Sequence, residues 1–354
     1  MRALHGFAVS TAVATFLLLG MGGLVTSNGA GMSVPDWPTS FGYNMFLLPI
    51  KFWRGGVFYE HTHRLFASLV GCMTIILAIW IWMRDPRKWV KWLGVAAAGL
   101  IVAQGILGGL RVILTRDQLG MLHGVIGQVF FILMCALALF TGRTWAILSE
   151  RPQAAVPRHL RTLVLATTLL IFGQLIVGAA MRHQHAGLAI PDFPLAYGKV
   201  WPDINADAVA GYNARRMEIT GVNPITSFQI ILQMVHRILA LVILACVAIC
   251  ARQAWRQLGA HDALARCALF WLTLIVAQIT LGAATIWTNK AADVATSHVL
   301  VGALSLVTGA LWCIIAFGRS ANRLAPGRMP GGRANALHDG AYAPEAFEPV
   351  AANK

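Results

Sequence analysis

Long apolar stretches without a charged residue dominate this chain. Seven of them run for roughly 18 residues or more, and examples are 8–26, 65–83, 92–110 and 294–318. An eighth, around 227–251, is interrupted only by His236 and Arg237. Each stretch is long enough to cross about 30 Å of hydrocarbon as a helix. The chain is therefore predicted to be an all-α integral membrane protein with eight transmembrane helices.

The charged residues narrow the function classes and orient the chain. The 28 Lys and Arg exceed the 14 Asp and Glu, but they are spread over short connections without interleaved aromatic runs, so no nucleic acid is expected as a partner. With a cytoplasmic N-terminus, the inner segments carry 17 basic residues and the outer ones 11, as the positive-inside rule requires. Both termini are therefore expected to be cytoplasmic. Because no Arg- and Ser-rich import sequence precedes the first span, a bacterial inner membrane is expected.

The chain repeats itself once. The sequence GMSVPDWPTSFG at 31–42 returns as GLAIPDFPLAYG at 187–198, an offset of 156 residues. Other recurring pairs are His63-Arg64 with His236-Arg237, and His123 with His298. Four spans per copy give both copies the same orientation, as in parallel repeats related by an axis along the membrane normal. We therefore predict two tandem, pseudo-twofold-related four-helix bundles, at 1–150 and 151–318.

The connections between the spans carry helix-breaking residues. Each Pro-Asp-aromatic-Pro sequence ends helices on both sides, so the outer loops 27–60 and 182–227 are expected to hold short ordered or amphipathic elements. Asp36 and Asp192 recur in these loops and are expected to fold them. Residues 319–354 are rich in Gly, Pro, Ala and Asn, which predicts a disordered cytoplasmic tail.

Four of the eleven histidines lie in or at the edge of spans: His63, His123, His236 and His298. A single membrane histidine is more often a hydrogen-bonded packing residue than a ligand. Four at one predicted depth near the outer face, two per repeat, favour a functional role because polar groups at such depth are costly. The other histidines near the outer loops, His61, His183 and His185, are expected to be solvated or interfacial.

Two facing imidazoles per half indicate haem rather than zinc. Zinc sites use three or four ligands, and no carboxylate or thiol recurs with both pairs. A haem iron needs only axial ligands and a flat apolar slot. One turn after the histidines, on the same helix face, the residues are small: Ala67, Gly127, Ala240 and Gly302. We therefore predict one bis-histidine iron site per half, formed by His63 with His123 and by His236 with His298.

Charged residues beside the histidines leave two interpretations open. Arg64 and Arg237 follow their histidines directly, and they either extend to the membrane interface or pair with haem propionates. Glu60 lies three residues before His63, where the second half has neutral Gln233. Glu60 is either a helix-start carboxylate favoured by the helix dipole or a proton carrier at a reacting site. On the second interpretation the first half reacts and the second supplies electrons.

These features resemble those of the heme A synthase family. The resemblance covers residues 8–318, and it rests on the two four-span repeats, on Glu60, His63, His123, His236-Arg237 and His298 in that order, and on the paired Pro-Asp-Trp-Pro and Pro-Asp-Phe-Pro loops. Some bacterial members carry a cysteine pair in the first outer loop. Loop 27–60 contains no cysteine, so the chain is more similar to the mitochondrial and proteobacterial branch.

The resemblance implies a membrane oxidoreductase that converts heme O to heme A. It implies that heme O is bound in the N-terminal half and that Glu60, His63 and His123 act on it as its ring methyl is oxidised to a formyl group. It also implies a haem b held by His236 and His298 for electron transfer. Heme O synthase and terminal oxidase assembly factors are implied as partners, while the electron donor and a homo-oligomer stay open.

Two other function classes share these sequence features. A di-haem b-type membrane cytochrome, which passes electrons between quinol and a partner, would use the same histidines and alter neither porphyrin. A haem-free transporter is the second, because parallel repeats also occur in transporters. The carboxylate of Glu60, present in one half only, favours the synthase over both.

Overall fold

The regular elements in the described part of the chain are all helices. The computed structural model describes residues 2–150, 155–220 and 224–324. Its α-helices are α1 (Arg2–Ser27), α2 (Gly56–Arg84), α3 (Lys88–Ile113), α4 (Asp117–Thr141), α5 (Arg143–Glu150), α6 (Arg158–His183), α7 (Ala206–Thr220), α8 (Ser227–Leu258), α9 (Ala263–Trp287) and α10 (Ala292–Leu324). Short 3-10 helices occupy Met45–Leu47, Ile50–Phe52 and Ala186–Leu188.

Eight of these helices are long and apolar enough to cross a membrane, namely all except α5 and α7. A lipid-embedded backbone must satisfy its own polar groups, which a helix does within one segment. Hydroxyl groups follow the same rule, because Thr15, Thr74 and Thr168 each donate to the carbonyl four residues earlier at 2.8 Å. The prediction of an all-α membrane protein with eight spans is confirmed.

The spanning helices pack in two closed groups of four. In the first group α1 contacts α2 and α4, and α3 contacts the same two helices. In the second group α8 contacts α6 and α9, and α10 contacts the same two helices. The groups meet where α10 contacts α1 and α4 and where α4 contacts α6. Half of the spanning residues of α4 and α10 are buried, against 22–39% in the other spans, so α4 and α10 are the central helices. A pseudo-twofold relation between the groups stays a prediction.

The two long loops at one end of the helices, 28–55 and 184–226, define what we call the loop end. Asp36 accepts hydrogen bonds from the backbone N–H groups of Phe41 and Gly42 at 2.6 and 2.8 Å. Asp192 accepts from Tyr197 and Gly198 at 2.7 and 2.9 Å. Both Pro-Asp-aromatic-Pro sequences contain a cis peptide bond before the second proline. The structure therefore assigns both aspartates to loop folding, and it places short helices in both loops, as expected.

Helix α10 is longer than the sequence predicts. Helix α10 continues to Leu324, so residues 319–324 of the predicted disordered tail are helical. Arg319 extends the helix because its guanidinium group, 6% exposed, forms an ion pair with Asp262 at 2.8 Å. Residues 325–354 lie outside the described residues, as do residues 151–154 at the predicted boundary between the halves.

Replacing Asp36 by alanine is expected to loosen the loop at 28–55 without unfolding the spans. Burial raises the pKa of Asp36, but the hydrogen bonds from Thr39, Gly42 and Phe41 outweigh it and hold the pKa below 3.8. The carboxylate therefore stabilises the folded loop above about pH 4, and this contribution of about 2 kcal/mol is lost as the pH falls through the lowered pKa. Limited proteolysis of loop 28–55 measures the effect, with exposed Asp203→Ala as the control. Equal cleavage rates in the two variants at neutral pH would contradict it.

Candidate haem sites at the loop end

The four span histidines lie at a similar depth in their helices. His63, His123, His236 and His298 each stand six to nine residues after the start of α2, α4, α8 and α10, respectively. Helices α4 and α10 begin at the loop end after short connections, and α2 and α8 begin after the first and the second long loop. The structure thus brings two histidines into each group of four helices, one on each of two non-adjacent helices.

Each histidine ring packs against a glycine of a neighbouring helix. A methyl group at Gly22 would lie 3.2 Å from His63 Cε1, and one at Gly178 would lie 3.3 Å from His236 Cε1. The two other contacts are Gly108 with His123, at 3.4 Å, and Gly282 with His298, at 3.2 Å. A side chain larger than hydrogen at these positions would push against the ring. The glycines therefore fix where the imidazoles stand between the helices.

The histidines leave polar atoms without protein partners. Nδ1 is buried and unpartnered in all four of them: His63, His123, His236 and His298. Buried polar atoms are nearly always hydrogen-bonded, so four orphans at equivalent places indicate a missing ligand or water. Within the described ranges, no group of three or more His, Cys, Asp or Glu side chains is arranged for a metal ion. The donor set thus fits a macrocyclic iron, which needs only axial ligands, better than zinc.

The pair in the second group has the spacing of two axial ligands. The ring centroids of His236 and His298 are 6.4 Å apart, with an angle of 57° between the planes. A metal–imidazole nitrogen bond measures about 2 Å, so an iron between two rings separates their centroids by about 6 Å. His236 and His298 therefore stand close to the separation that a bis-histidine haem requires.

The pair in the first group lies beside an arginine. His63 and His123 interact electrostatically with each other, and each also interacts electrostatically with Arg111. The guanidinium of Arg111 packs between Gly31 of the loop and Gly120 of α4. This places a cation next to the first histidine pair that the sequence alone did not identify.

An aromatic side chain of each long loop packs against a spanning helix. The indole of Trp37 packs on Gly109, the residue after the glycine that contacts His123. Phe193, which occupies the matching place in the second loop, packs edge-on against Trp287 with ring centroids 6.0 Å apart. Each loop thus places an aromatic ring against the loop-end part of a spanning helix, α3 in the first group and α9 in the second.

Glu60 and Gln233 make equivalent contacts with the loops. Glu60 is 4% exposed, and its Oε2 accepts a hydrogen bond from Val34 N–H at 2.9 Å. Gln233 Oε1 accepts from Ile190 N–H, at the matching loop position, at 2.7 Å. The difference is charge, because Glu60 Oε1 also forms an ion pair with Arg64 at 2.6 Å. Both residues fasten a loop to its histidine helix, and only the first carries an acid there.

The two arginines that follow histidines contact loop carbonyls. Arg64 donates to the carbonyls of Asp36 at 2.7 Å and Val34 at 3.1 Å. Arg237 donates to the carbonyls of Asp192 at 2.7 Å and Leu195 at 2.9 Å. Both guanidinium groups bind carbonyls of their own loop, and the interfacial and propionate interpretations both stay predictions. Arg237 keeps a buried Nε without a partner, and its predicted contact with a propionate stays a prediction.

Buried glutamines hold the histidine helices in place. Gln104 and Gln174 donate to the backbone carbonyls of His123 and His236 at 3.2 and 2.8 Å. Gln278 Nε2 lies 3.4 Å from His298 Nε2. The amide oxygens of all three are buried and unpartnered, so polar groups surround each pair.

One sequence expectation fails around the sites. His61 is fully buried rather than solvated, because loop 28–55 covers it: its ring stands edge-on to Trp53 at 4.8 Å, and Nδ1 lies 3.5 Å from Ser40 Oγ. Gly302, one turn after His298, also lies in a tightly packed place. A methyl group at Gly302 would lie 3.0 Å from Gln278 and 3.1 Å from Leu175. His185 is exposed, as expected.

The sequence alone also did not mark the glycines at 108 and 282 or the cations at 111 and 182 as parts of the sites. Gly108 and Gly282 are separated by the same offset of 174 residues as Gln104 and Gln278, so the repeat contained a signal for the glycines. In the other half, the repeat has Thr285 at the position equivalent to Arg111 and Thr26 at the position equivalent to Arg182. No repeat pattern could therefore have marked them.

The chain resembles known proteins along most of its length. A family model described as cytochrome oxidase assembly protein, COX15-CtaA, matches residues 43–310. A heme A synthase from Alkalihalophilus pseudofirmus is 26% identical over 312 residues, which cover 86% of this chain and 94% of that protein. A heme A synthase from Rhizorhabdus wittichii is 25% identical over 345 residues, covering 88% and 93%.

A third relative gives the same result. A heme A synthase from Geobacillus kaustophilus is 27% identical over 303 residues, covering 84% of this chain and 86% of that protein. The family model spans all four span histidines and Glu60. The chain belongs to the COX15-CtaA family of cytochrome oxidase assembly proteins, which confirms the resemblance to heme A synthases found in its sequence.

Proposed function

We propose that this chain is a heme A synthase that oxidises a ring methyl of heme O to a formyl group. The observation that carries the proposal is the pairing of the histidines in two groups of helices, with a buried carboxylate beside only one pair. The names of the relatives support the same activity. Assignment to the branch without a loop cysteine pair belongs to the proposal as well.

In the C-terminal half, residues 151–318, His236 and His298 hold a b-type haem. A bis-histidine haem takes up and releases single electrons. Gln174 fixes the backbone at His236, and Gly178 and Gly282 set the positions of the two rings. The chain thus supplies rigid ligands, which suits electron transfer because the ligands need not move.

In the N-terminal half, residues 1–150, His63 and His123 position the substrate, heme O. Arg111 lies beside both rings and supplies a positive charge for a substrate carboxylate. Trp37 packs on Gly109, next to the glycine that contacts His123. The farnesyl tail of heme O fits a site at the edge of a lipid-embedded bundle, because both are apolar.

Glu60 holds and moves protons at the substrate site. Its carboxylate lies on the face of α2 that also carries His63, and it is bonded to Val34 N–H and Arg64. The contact with Arg64 offsets part of the cost of burying this side chain. Arg64 and Arg237 are the proposed propionate contacts of the two haems, in addition to their contacts with the loops.

The proposed reaction takes place in the bacterial inner membrane. Both termini lie in the cytoplasm of a bacterial cell, and the histidine sites lie toward the outer face of the inner membrane. The chain receives heme O from a heme O synthase and delivers heme A to terminal oxidase assembly. A di-haem cytochrome is the second candidate. The glycine–histidine contacts favour it because they are the same in both halves, as expected if both histidine pairs bind the same kind of haem.

Extraction of haems from membranes tests the proposed reaction. Cells that make heme O are compared with and without this chain, and the extracted haems are identified by chromatography and mass spectrometry. Heme A, or its hydroxymethyl precursor, is expected only where the chain is present. Recovery of heme O and haem b alone, from membranes in which the chain binds haem, would favour the cytochrome instead.

A glycine substitution tests the assignment of the C-terminal haem. Gly178→Val is expected to displace the ring of His236, because even a methyl group at Gly178 would lie only 3.3 Å from this ring. The displacement is expected to weaken haem b binding about ten-fold or more. Gly173→Val is the matched control, since a methyl group at Gly173 on the same helix meets nothing within 4 Å. Absorption spectra of the purified variants measure haem b per chain. Equal loss in both variants would contradict the assignment.

A further inference from the structure

Arg182 lies where the two groups of helices meet at the loop end. It stands in the last turn of α6, and its Nη2 donates to Gly23 O at 2.7 Å and Ser27 Oγ at 2.6 Å, both on α1. Ser27 Oγ lies 3.3 Å from Thr296 Oγ1 on α10. The guanidinium thus joins three helices through one of its nitrogens. Its Nε is buried and has no partner.

The position of Arg182 relative to the second histidine pair follows from helix geometry. It comes four residues after Gly178, so it lies one turn closer to the loop end on the face that contacts His236. It also acts electrostatically on His298. Arg182 is therefore placed beyond both rings, on the side of the loops.

A second cation, Lys290, lies in the connection between α9 and α10 and interacts electrostatically with Arg182. Lys290 is half-buried and has a left-handed backbone with φ 62°, and its N–H donates to Thr285 O at 2.7 Å. Burial, and then the charge of Arg182, lower the pKa of Lys290. Among the described residues, no carboxylate forms an ion pair with either side chain. Two neighbouring, partly desolvated cations repel each other unless an anion lies between them.

We propose that Arg182 and Lys290 form an anion site that binds a carboxylate of the haem held by His236 and His298. The proposal rests on the proposed function, which places that haem in the C-terminal half. The free donors, Arg182 Nε and the Lys290 ammonium group, suit a carboxylate, for which charge-assisted hydrogen bonds are strong. Thr26 occupies the place of Arg182 in the first half and donates to Gly22 O, so this site belongs to one half only.

The experiment compares haem b with its dimethyl ester, which lacks both carboxylates. The full-length chain carrying His63→Ala and His123→Ala is titrated with each compound, so that only the second histidine pair is measured. Haem b is expected to bind about ten-fold to hundred-fold more tightly than the ester, the range for hydrogen bonds to charged groups. Arg182→Gln with Lys290→Gln is expected to reduce that preference, with the part due to the proposed Arg237 contact retained, and to leave ester binding unchanged.

Two further variants make the outcome specific. Arg182→Lys keeps the charge and is expected to keep part of the preference, while Arg215→Gln removes an exposed cation of α7 and is expected to keep all of it. An unchanged preference for haem b in the double variant overturns the inference. Equal binding of haem b and the ester by the parent chain also overturns it, and this is the result expected if the two cations bind an anionic lipid headgroup instead. If the parent chain binds neither compound, the proposed haem site itself fails, and that result is distinct.

Discussion

The Glu60→Gln variant is expected to bind heme O and haem b as the unaltered chain does, and to form about a hundred-fold less heme A. Glutamine keeps the fold because Gln233 already makes the equivalent loop contact in the second half. Its Oε1 accepts Ile190 N–H at 2.7 Å, as Glu60 accepts Val34 N–H at 2.9 Å. The substitution removes the titratable group and the ion pair with Arg64. Haem content per chain and the yield of heme A measure the two expectations separately.

Two companion variants separate proton transfer from loop anchoring. Gln233→Glu changes the charge in the other half and is expected to leave heme A formation largely intact. Glu60→Ala removes the loop contact as well, so it is expected to reduce heme O binding in addition to the reaction. Normal heme A yield in Glu60→Gln would remove the proposed role of this carboxylate and leave it as a loop anchor.

Replacing His236 or His298 by alanine is expected to remove the low-spin spectrum of haem b and, with it, the formation of heme A. Loss of an axial ligand should weaken haem binding more than about a hundred-fold, because even the loss of a group that only supports a ligand costs ten- to hundred-fold. The two variants should be equally severe, since the rings face each other at 6.4 Å. Absorption and electron paramagnetic resonance spectra of the purified variants measure the loss.

The matched control is His185→Ala, which removes an exposed histidine of the loop end. It is expected to keep the haem b spectrum and the activity. His63→Ala and His123→Ala should differ from His236→Ala in retaining haem b, while heme A is absent in all of these variants. A spectrum that survives in His236→Ala or His298→Ala would mean that another residue binds the iron, and the assignment of the C-terminal site would then be wrong.

The membrane fold was predictable because its physical signal is local. A charge-free stretch of about 20 residues has few alternatives to a spanning helix, and all eight predicted spans are present. The depth of the four histidines follows from their place near helix starts. The extent of α10 was not predictable from composition, because residues 319–324 continue a helix that the ion pair of Arg319 with Asp262 stabilises.

The surroundings of the histidines depend on contacts between distant segments, which composition does not encode. The glycine contact of His63 comes from α1, and the cover over His61 comes from Trp53 and Ser40 in the loop. The sequence predicts only part of the role of Glu60. It shows that a carboxylate stands where the second half has Gln233, but the hydrogen bond from Val34 N–H to Glu60 depends on the folded loop. Arg182 has no counterpart in the repeat, so its place beside His298 required the structure.

Binding of heme O to a chain that lacks the second histidine pair tests most directly whether two separate imidazole pairs serve substrate and cofactor. The purified His236→Ala, His298→Ala double variant is titrated with heme O and followed by absorption. One equivalent of heme O is expected to bind per chain, and binding is expected to disappear when His63→Ala and His123→Ala are added. If the double variant takes up no heme O, or if heme O still binds with all four histidines replaced, the N-terminal pair is not the substrate site.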